Sequence, residues 1–197
     1  MNKNKRPDLN LLAMLIHTNA VRHGWWENRL SDDHYLTLVI SELAEAVEAD
    51  RKGSNAEKES FEITLADWKN EADREADPEQ WRYEFNAAFD SYIKDTVADE
   101  LADTVIRLLD LAEARKCRLY NVSAVVGCIN NSQAFTENVW QVIRTITRGD
   151  LTAEQRIVSG IISVELLAAL YDIDLWWHVL LKMEYNTGRP YKHNKKY

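Results

Sequence analysis

The sequence is poor in the residues that end or bend secondary structure, with only 6 glycines and 3 prolines among 197 residues. So few turn-formers exclude a fold of many short strands and leave long helices as the natural use of the chain. Cysteine is almost as scarce. Cys117 and Cys128 are the two present, and neither sits with His or Cys at zinc-site spacing. They allow one disulfide, and they equally suit buried free thiols in a reducing compartment, which is the reading carried forward. No apolar run approaches membrane-spanning length, and MNKNKRPDLN is positively charged without a following signal-type apolar stretch. A cytoplasmic protein with no membrane partner is expected.

Basic residues are also in deficit, 24 Lys and Arg against 32 Asp and Glu, for a net charge of −8. The imbalance is local. Residues 182–197 carry Lys182, Arg189, Lys192, Lys195 and Lys196 against Glu184 alone, so the body before them is more acidic than the whole. An acidic body excludes nucleic acid as the main partner, because a polyanion needs a basic surface. Acid on the body and base on the tail suit a metal-bridged phosphate ligand, and they also suit a tail with no ligand.

What the chain does have is apolar mass. It is 46% hydrophobic with 7 Trp and 8 Tyr, enough for a core in one domain over 1–197 without staples. Helical segments are expected at 8–22, 32–51, 77–115 with a break near Ser91, 123–148, 153–171 and 173–185. Ser31 or Asp32 caps the second, and Asp77-Pro78 starts the third. Thr152 and Gln155 form a capping-box pattern before the fifth. Residues 53–76 are polar and partly helical, and 53–95 together read as an insertion. The expected fold is all-α, a four-helix-bundle core with additional helices and this polar insertion. Residues 186–197 form a basic C-terminal tail.

Two acidic pairs stand out. Glu42 and Glu45 lie three apart on the second segment, off the stripe made by Leu36, Ile40, Leu43 and Val47. Glu48 continues the series as an outer support or a solvated group. For this segment alone, a solvated acidic face explains the pattern. The second pair shifts the balance. Glu100, Asp103, Arg107 and Asp110 share a stripe beside Val97, Leu101, Val105 and Leu108, with Asp99 just across from it. Asp103 and Arg107 are spaced for an i,i+4 ion pair, and Asp110 and Arg107 suit either site support or helix pairing. Carboxylates among so many apolar residues are partly buried, and burial costs several kcal/mol, roughly, without a compensating cation. Two such pairs on packed helices form an oxygen-only site suited to Mg²⁺, with Mn²⁺ as a substitute. No Glu-x-x-His occurs at these acids, which excludes a di-iron carboxylate bundle.

With these residues in place, the sequence resembles the all-α NTP pyrophosphatases, the MazG and dimeric dUTPase superfamily. Glu42-Leu-Ala-Glu45 and Glu100-Leu-Ala-Asp103 match its ExxE and ExxD pairs. HGWW at 23–26, DTVIRLLDLA at 103–112 and KMEYNTGRPYKHNKKY at 182–197 look like MazG-like proteins. The resemblance implies a Mg²⁺-dependent hydrolase that cleaves a ribo- or deoxynucleoside triphosphate between its α and β phosphates, giving the monophosphate and pyrophosphate. It implies Glu42, Glu45, Glu100 and Asp103 as metal ligands, with Glu42 and Glu45 also serving catalysis and Glu45 preferred for handling the attacking water. Lys182, Asn186, Arg189 and Lys192 are the implied phosphate contacts, and Trp25 or Trp26 a base contact. It further implies a homodimer or higher assembly.

The connection 46–99 is longer than in the simplest members, and an insertion beside a site reshapes it or acts as a lid. Trp176 and Trp177 read as core or interface. Of His17, His23, His34, His178 and His193, only His193 is placed near substrate. Two other function classes remain: a nucleotide-binding module without turnover, and a helical oligomerisation module with solvated acidic faces.

Overall fold

A computed structural model describes residues 6–28, 30–68 and 70–194, with 193 and 194 described by their backbone alone. The fold is all-α, with no strand among the described residues. Nine α-helices follow in order among those residues: α1 Leu9–Arg22, α2 Asp32–Lys52, α3 Lys58–Thr64, α4 Glu71–Ala76, α5 Pro78–Tyr92, α6 Val97–Ala114, α7 Phe135–Ile146, α8 Ala153–Leu170 and α9 Leu175–Thr187. Short 3₁₀ turns cover Ala66–Trp68 and Tyr191–Asn194. No described helix is long and apolar enough to cross a membrane.

The helix ends fall where the punctuation places them. Ser31 accepts from the His34 amide at the start of α2, and Asp77 accepts from Gln80 ahead of Pro78. Thr152 and Gln155 close a reciprocal capping box on α8. The break near Ser91 is real and lies just after it. Four residues separate α5 from α6, with Asp95 at φ +57 and Thr96 capping the Asp99 amide.

One expectation fails. A helix over 123–148 is expected, but only Phe135–Ile146 is helical and the preceding residues form an irregular stretch. The physical reason lies in the composition and in the bonds made. Val122, Val125, Val126 and Ile129 are β-branched, and Gly127 and the Asn130-Asn131 pair disfavour helix further. Side chains then take over the backbone groups: Asn138 bonds both the amide and the carbonyl of Asn130, and Ser159 accepts from the Val125 amide. The thiols are both free, with Cys117 half-buried and Cys128 exposed rather than buried. Burial pushes the Cys117 thiol up to about 11, so it is a poor nucleophile at neutral pH.

Helix α6 is the hub, packing against α1, α2, α8 and α9, while α7 packs on α8 and α2. Buried residues from six helices, α1, α2 and α6–α9, make one apolar cluster. Within it α8 comes close to its neighbours at Gly160, where an added Cβ would lie 2.7 Å from Ile146 and 3.1 Å from Leu108. Gly160→Ala is therefore expected to destabilise. Overpacking costs about 1–3 kcal/mol, and the better helix propensity of alanine returns just under ~1 kcal/mol. A lower urea midpoint at unchanged slope is the expected reading, and an unchanged midpoint would show that the neighbours give way.

A second cluster, Phe61, Leu65, Trp81, Phe85, Ala88, Phe89 and Ile93, comes from residues 53–95 and packs against Trp177, Leu181 and Tyr185 of α9. Residues 53–95 thus contribute an apolar centre of their own, seated on the last long helix.

Candidate metal and phosphate site

Helices α2 and α6 are joined through Val39, Leu43, Ala46, Leu101, Ala102 and Val105, all within the main core. Acids from the two helices meet beside this junction. Carboxylate oxygens of Glu42, Glu100 and Asp103 lie within 4.8 Å of one another. Asp95, Asp99 and Glu100 form a second such group, so Glu100 is shared. Glu42 and Glu100 are buried, Asp103 is half-buried, and Glu45 is exposed on the wall of the same cleft. Three of the four expected ligands therefore converge, and the fourth stands beside them. Glu45 is close enough that its charge helps raise the pKa of Glu42.

Two cations enter this acidic centre. Arg107 does not pair with Asp103 one turn before it. Its Nε instead donates to Glu42 Oε1 across the helix interface at 2.5 Å. Lys182, buried on α9, donates to both Asp99 oxygens at 2.8 Å and pairs with Asp103 at 2.9 Å. Asp99, set just across from the acidic stripe by sequence reasoning, is the site residue that reasoning did not name. Its spacing of four from Asp103 is the signal that could have brought it in.

Burial dominates the electrostatics. It pushes Glu100 up to about 9, with the Asp103 and Asp99 charges adding to the effect. Glu42 is raised by burial against the opposing pull of Arg107. Asp99 is pushed up by burial to about 6 although Lys182 opposes it, so it remains ionised at neutral pH. Burial alone would lower Lys182, but the Asp103 and Asp99 carboxylates outweigh it and the ammonium is held charged. Without metal, burial favours the protonated form of Glu100 at neutral pH, and Arg107 and Lys182 pair with Glu42, Asp99 and Asp103.

Glu42, Glu45, Asp95, Glu100 and Asp103 line a cleft of about 900 Å³. Lys182, Asn186 and Arg189 line it from the α9 side, and Trp25, His34 and Tyr35 line it elsewhere. The Asn186 side-chain oxygen is buried without a hydrogen-bond partner. Lys192 departs from expectation. Its ammonium pairs with Glu27 at 2.6 Å, and it is not among the described residues that line the cleft. Its amide donates to the His23 carbonyl, and His23 Nε2 meets the Arg189 carbonyl at 3.0 Å, so the HGWW segment and the C-terminal block are tied together. Gly24, at φ +81, makes this possible, because any side chain there would collide with the Tyr191 ring.

Trp26 turns away from a stacking role with substrate. It stacks on Tyr35 at 4.3 Å and donates its indole N–H to Asp110, which also meets His17 at 2.7 Å. Asp110 thus anchors α1 and the HGWW segment, which favours the site-support reading of that residue. Glu48 pairs with Arg51 and Lys52 on the exposed face of α2. His178 is buried beside Trp177 and pushed down to about 4 by burial, with the Lys58 charge adding to it, so it is a neutral core residue. The His193 side chain lies outside the described residues.

Both groups offer carboxylate oxygens alone, with no thiolate or imidazole, and either could hold a metal ion. A cleft lined by acids, cations and aromatics together can hold a molecule that is both charged and partly apolar. No family model matches this chain, and no curated protein or solved structure matches it.

Proposed function

We propose that the chain is a Mg²⁺-dependent nucleoside triphosphate pyrophosphohydrolase of the MazG-like type. The observation that carries the reading is the convergence of Glu42, Glu100 and Asp103 in a cleft whose α9 side presents Lys182, Asn186 and Arg189. Neither acid pair alone distinguishes a site from a solvated face. Their meeting below the surface, in a cleft also lined by Lys182, Asn186 and Arg189, supports the site reading.

In this reading Glu42, Glu100 and Asp103 hold the divalent ions, with Glu45 completing the set from the cleft wall. Bound metal would supply charge neutralisation of the triphosphate and activation of water. The residues of the chain do the rest. Arg107 holds Glu42 in orientation, as outer partners commonly do for metal ligands. Arg189 offers a planar fork to phosphate oxygens, and Lys182 a point charge. Asn186 brings an amide whose oxygen lacks a protein partner. Glu45, exposed and within the cleft, is placed to take the proton of the attacking water. Trp25 lines the same cleft and is the candidate face for a nucleobase. A homo-oligomer accords with the resemblance, and Leu11, Met14, Leu15 and Val21 of α1 leave apolar surface exposed for it.

The competing reading is structural. Arg107 and Lys182 already neutralise much of the acid, so the cluster also works as an ion-pair network without metal. Incubation with Mg²⁺ and a panel of ribo- and deoxynucleoside triphosphates, resolved by ion-exchange chromatography, separates the two. Monophosphate and pyrophosphate without diphosphate are expected. No product together with Mg²⁺-dependent nucleotide binding would leave a binding module, and no Mg²⁺-dependent thermal shift would leave the structural network.

A further inference from the structure

We infer that the insertion 53–95 is a positioning element for the phosphate-binding side of the cleft, acting through Arg82, Phe89 and Asp90 on the last turns of α9. This deepens the proposed function and rests on it.

An insertion between two ligand-bearing helices invites a lid role, but its placement here is different. Of residues 53–95, only Lys94 and Asp95 are among the described residues that line the cleft. The apolar residues of the insertion pack on α9 at Trp177, Leu181 and Tyr185, and Tyr185 also lines the cleft. Phe89 is fully buried, and its ring stacks on Tyr185 at 4.2 Å and 16°. Lys182 Nζ lies 5.5 Å from the centre of that same ring, and the Arg189 guanidinium lies 5.8 Å from the Tyr185 ring centre. One aromatic stack from the insertion therefore underlies two of the proposed phosphate contacts. Asp90 accepts from the Tyr185 hydroxyl at 2.9 Å and fixes the rotation of the second ring.

Arg82 acts on the helix end. Helix α9 finishes at Thr187, so the carbonyl of Glu184 is among the last four, which lack an i+4 amide within the helix, and the Thr187 hydroxyl donates to it at 2.7 Å. Arg82 Nη1 donates to that carbonyl at 2.9 Å while Nη2 pairs with the Glu184 carboxylate at 3.0 Å. A cation at a helix C-terminus is favourable for the dipole as well. Gly188 follows directly, and an added Cβ there would come within 3.1 Å of the Arg82 side chain. Arg82 thus sets the exit direction of the chain into Arg189. Lys58 holds the other end of α9 through Asp174 at 2.9 Å and lies over Trp177. The insertion thus contacts both ends of α9 and the Tyr185 side of it, next to Lys182 and Asn186, which line the cleft.

The test compares full-length wild type, Arg82→Ala, Arg82→Lys and Asp90→Asn. Titration calorimetry with Mg²⁺ alone reads the acidic centre, and titration with inorganic tripolyphosphate at saturating Mg²⁺ reads the α9 side. Arg82→Ala is expected to weaken tripolyphosphate about tenfold and to leave the Mg²⁺ affinity within about twofold, because the acids lie in a separate set of contacts. Arg82→Lys keeps the charge but loses the fork, and should fall between the two. Asp90→Asn changes an exposed residue without loss of shape, stays folded, and is expected to give a smaller loss in the same direction. In turnover the variants should show a raised KM with kcat largely kept. Tripolyphosphate binding unchanged in both Arg82→Ala and Asp90→Asn would overturn the inference while the pyrophosphohydrolase reading stands. Equal loss of Mg²⁺ binding would overturn it as well, showing collapse rather than positioning. Wild type that binds no tripolyphosphate with Mg²⁺ would remove the phosphate site itself, and the inference with it.

Discussion

Glu100→Gln is expected to leave the fold intact, remove the stabilisation that Mg²⁺ gives, and cut turnover by more than the roughly 10–100-fold seen for changes outside a metal's own ligands. Intact folding follows from the resting charge of the side chain. Burial, then the Asp103 and Asp99 charges, push Glu100 up to about 9, so in the metal-free protein at neutral pH it is already uncharged and glutamine copies its shape. The same shift gives wild type a pH dependence. From about pH 4.5 to about pH 9 the folded state holds a proton on Glu100 that the unfolded chain has released. The unfolded state therefore binds fewer protons, and the stability of the metal-free protein falls as pH rises through that window. Glu100→Gln should lack this part of the decline. Metal uptake in wild type must expel the proton, so Mg²⁺ affinity should climb towards pH 9 and binding should release protons into the buffer. Thermal shifts from pH 6 to 9, with calorimetry in two buffers of different ionisation enthalpy, check both points. A Gln variant with wild-type shifts and turnover would mean that Glu100 is not a ligand.

The parts of this structure that are legible in the sequence are those governed by local rules. Ser31, Asp77 and the Thr152–Gln155 pair announce helix starts because capping is settled within four residues. The acidic stripe on α6 is equally local, and its burial follows from the apolar residues around it. Failures occur where distant contacts decide. The stretch before Phe135 carries enough apolar residues to resemble a helix, yet Ser159 and Asn138, from other positions in the chain, satisfy its backbone groups instead. Arg107 has a partner one turn away by spacing and takes one 65 residues away in sequence. Asp99 looks peripheral until α9 brings Lys182 over it. The insertion is visible as an excess of polar chain, but where it sits depends on Phe61, Trp81, Phe85 and Phe89 finding Trp177, Leu181 and Tyr185. Lys192 reads as a phosphate contact by composition, and Glu27 claims it through a fold contact that composition does not contain.

Lys182→Met is expected to be the most destabilising single change in the cleft, by about 3–5 kcal/mol in the absence of metal, the usual cost of removing one partner of a buried ion pair. Methionine keeps the length and the apolar stem, so packing against Phe89 survives and the loss isolates the charge. Without the ammonium, Asp99 is left buried with no counter-charge, and Asp103 loses its partner too. The deficit should narrow as pH falls, because Asp99, already pushed up to about 6 by burial with Lys182 present, takes up a proton more readily once the opposing charge is gone. Mg²⁺ should recover more stability in the variant than in wild type, since a divalent ion at the acidic centre supplies charge that wild type already has in part. Chemical denaturation in chelator and in Mg²⁺, each at pH 5 and pH 8, gives the four numbers needed. A variant as stable as wild type in chelator at pH 8 would mean that Lys182 does not balance these acids. A deficit that Mg²⁺ leaves unchanged would mean that the metal and the lysine do not share a site, and the assignment of Asp103 to both would have to be given up.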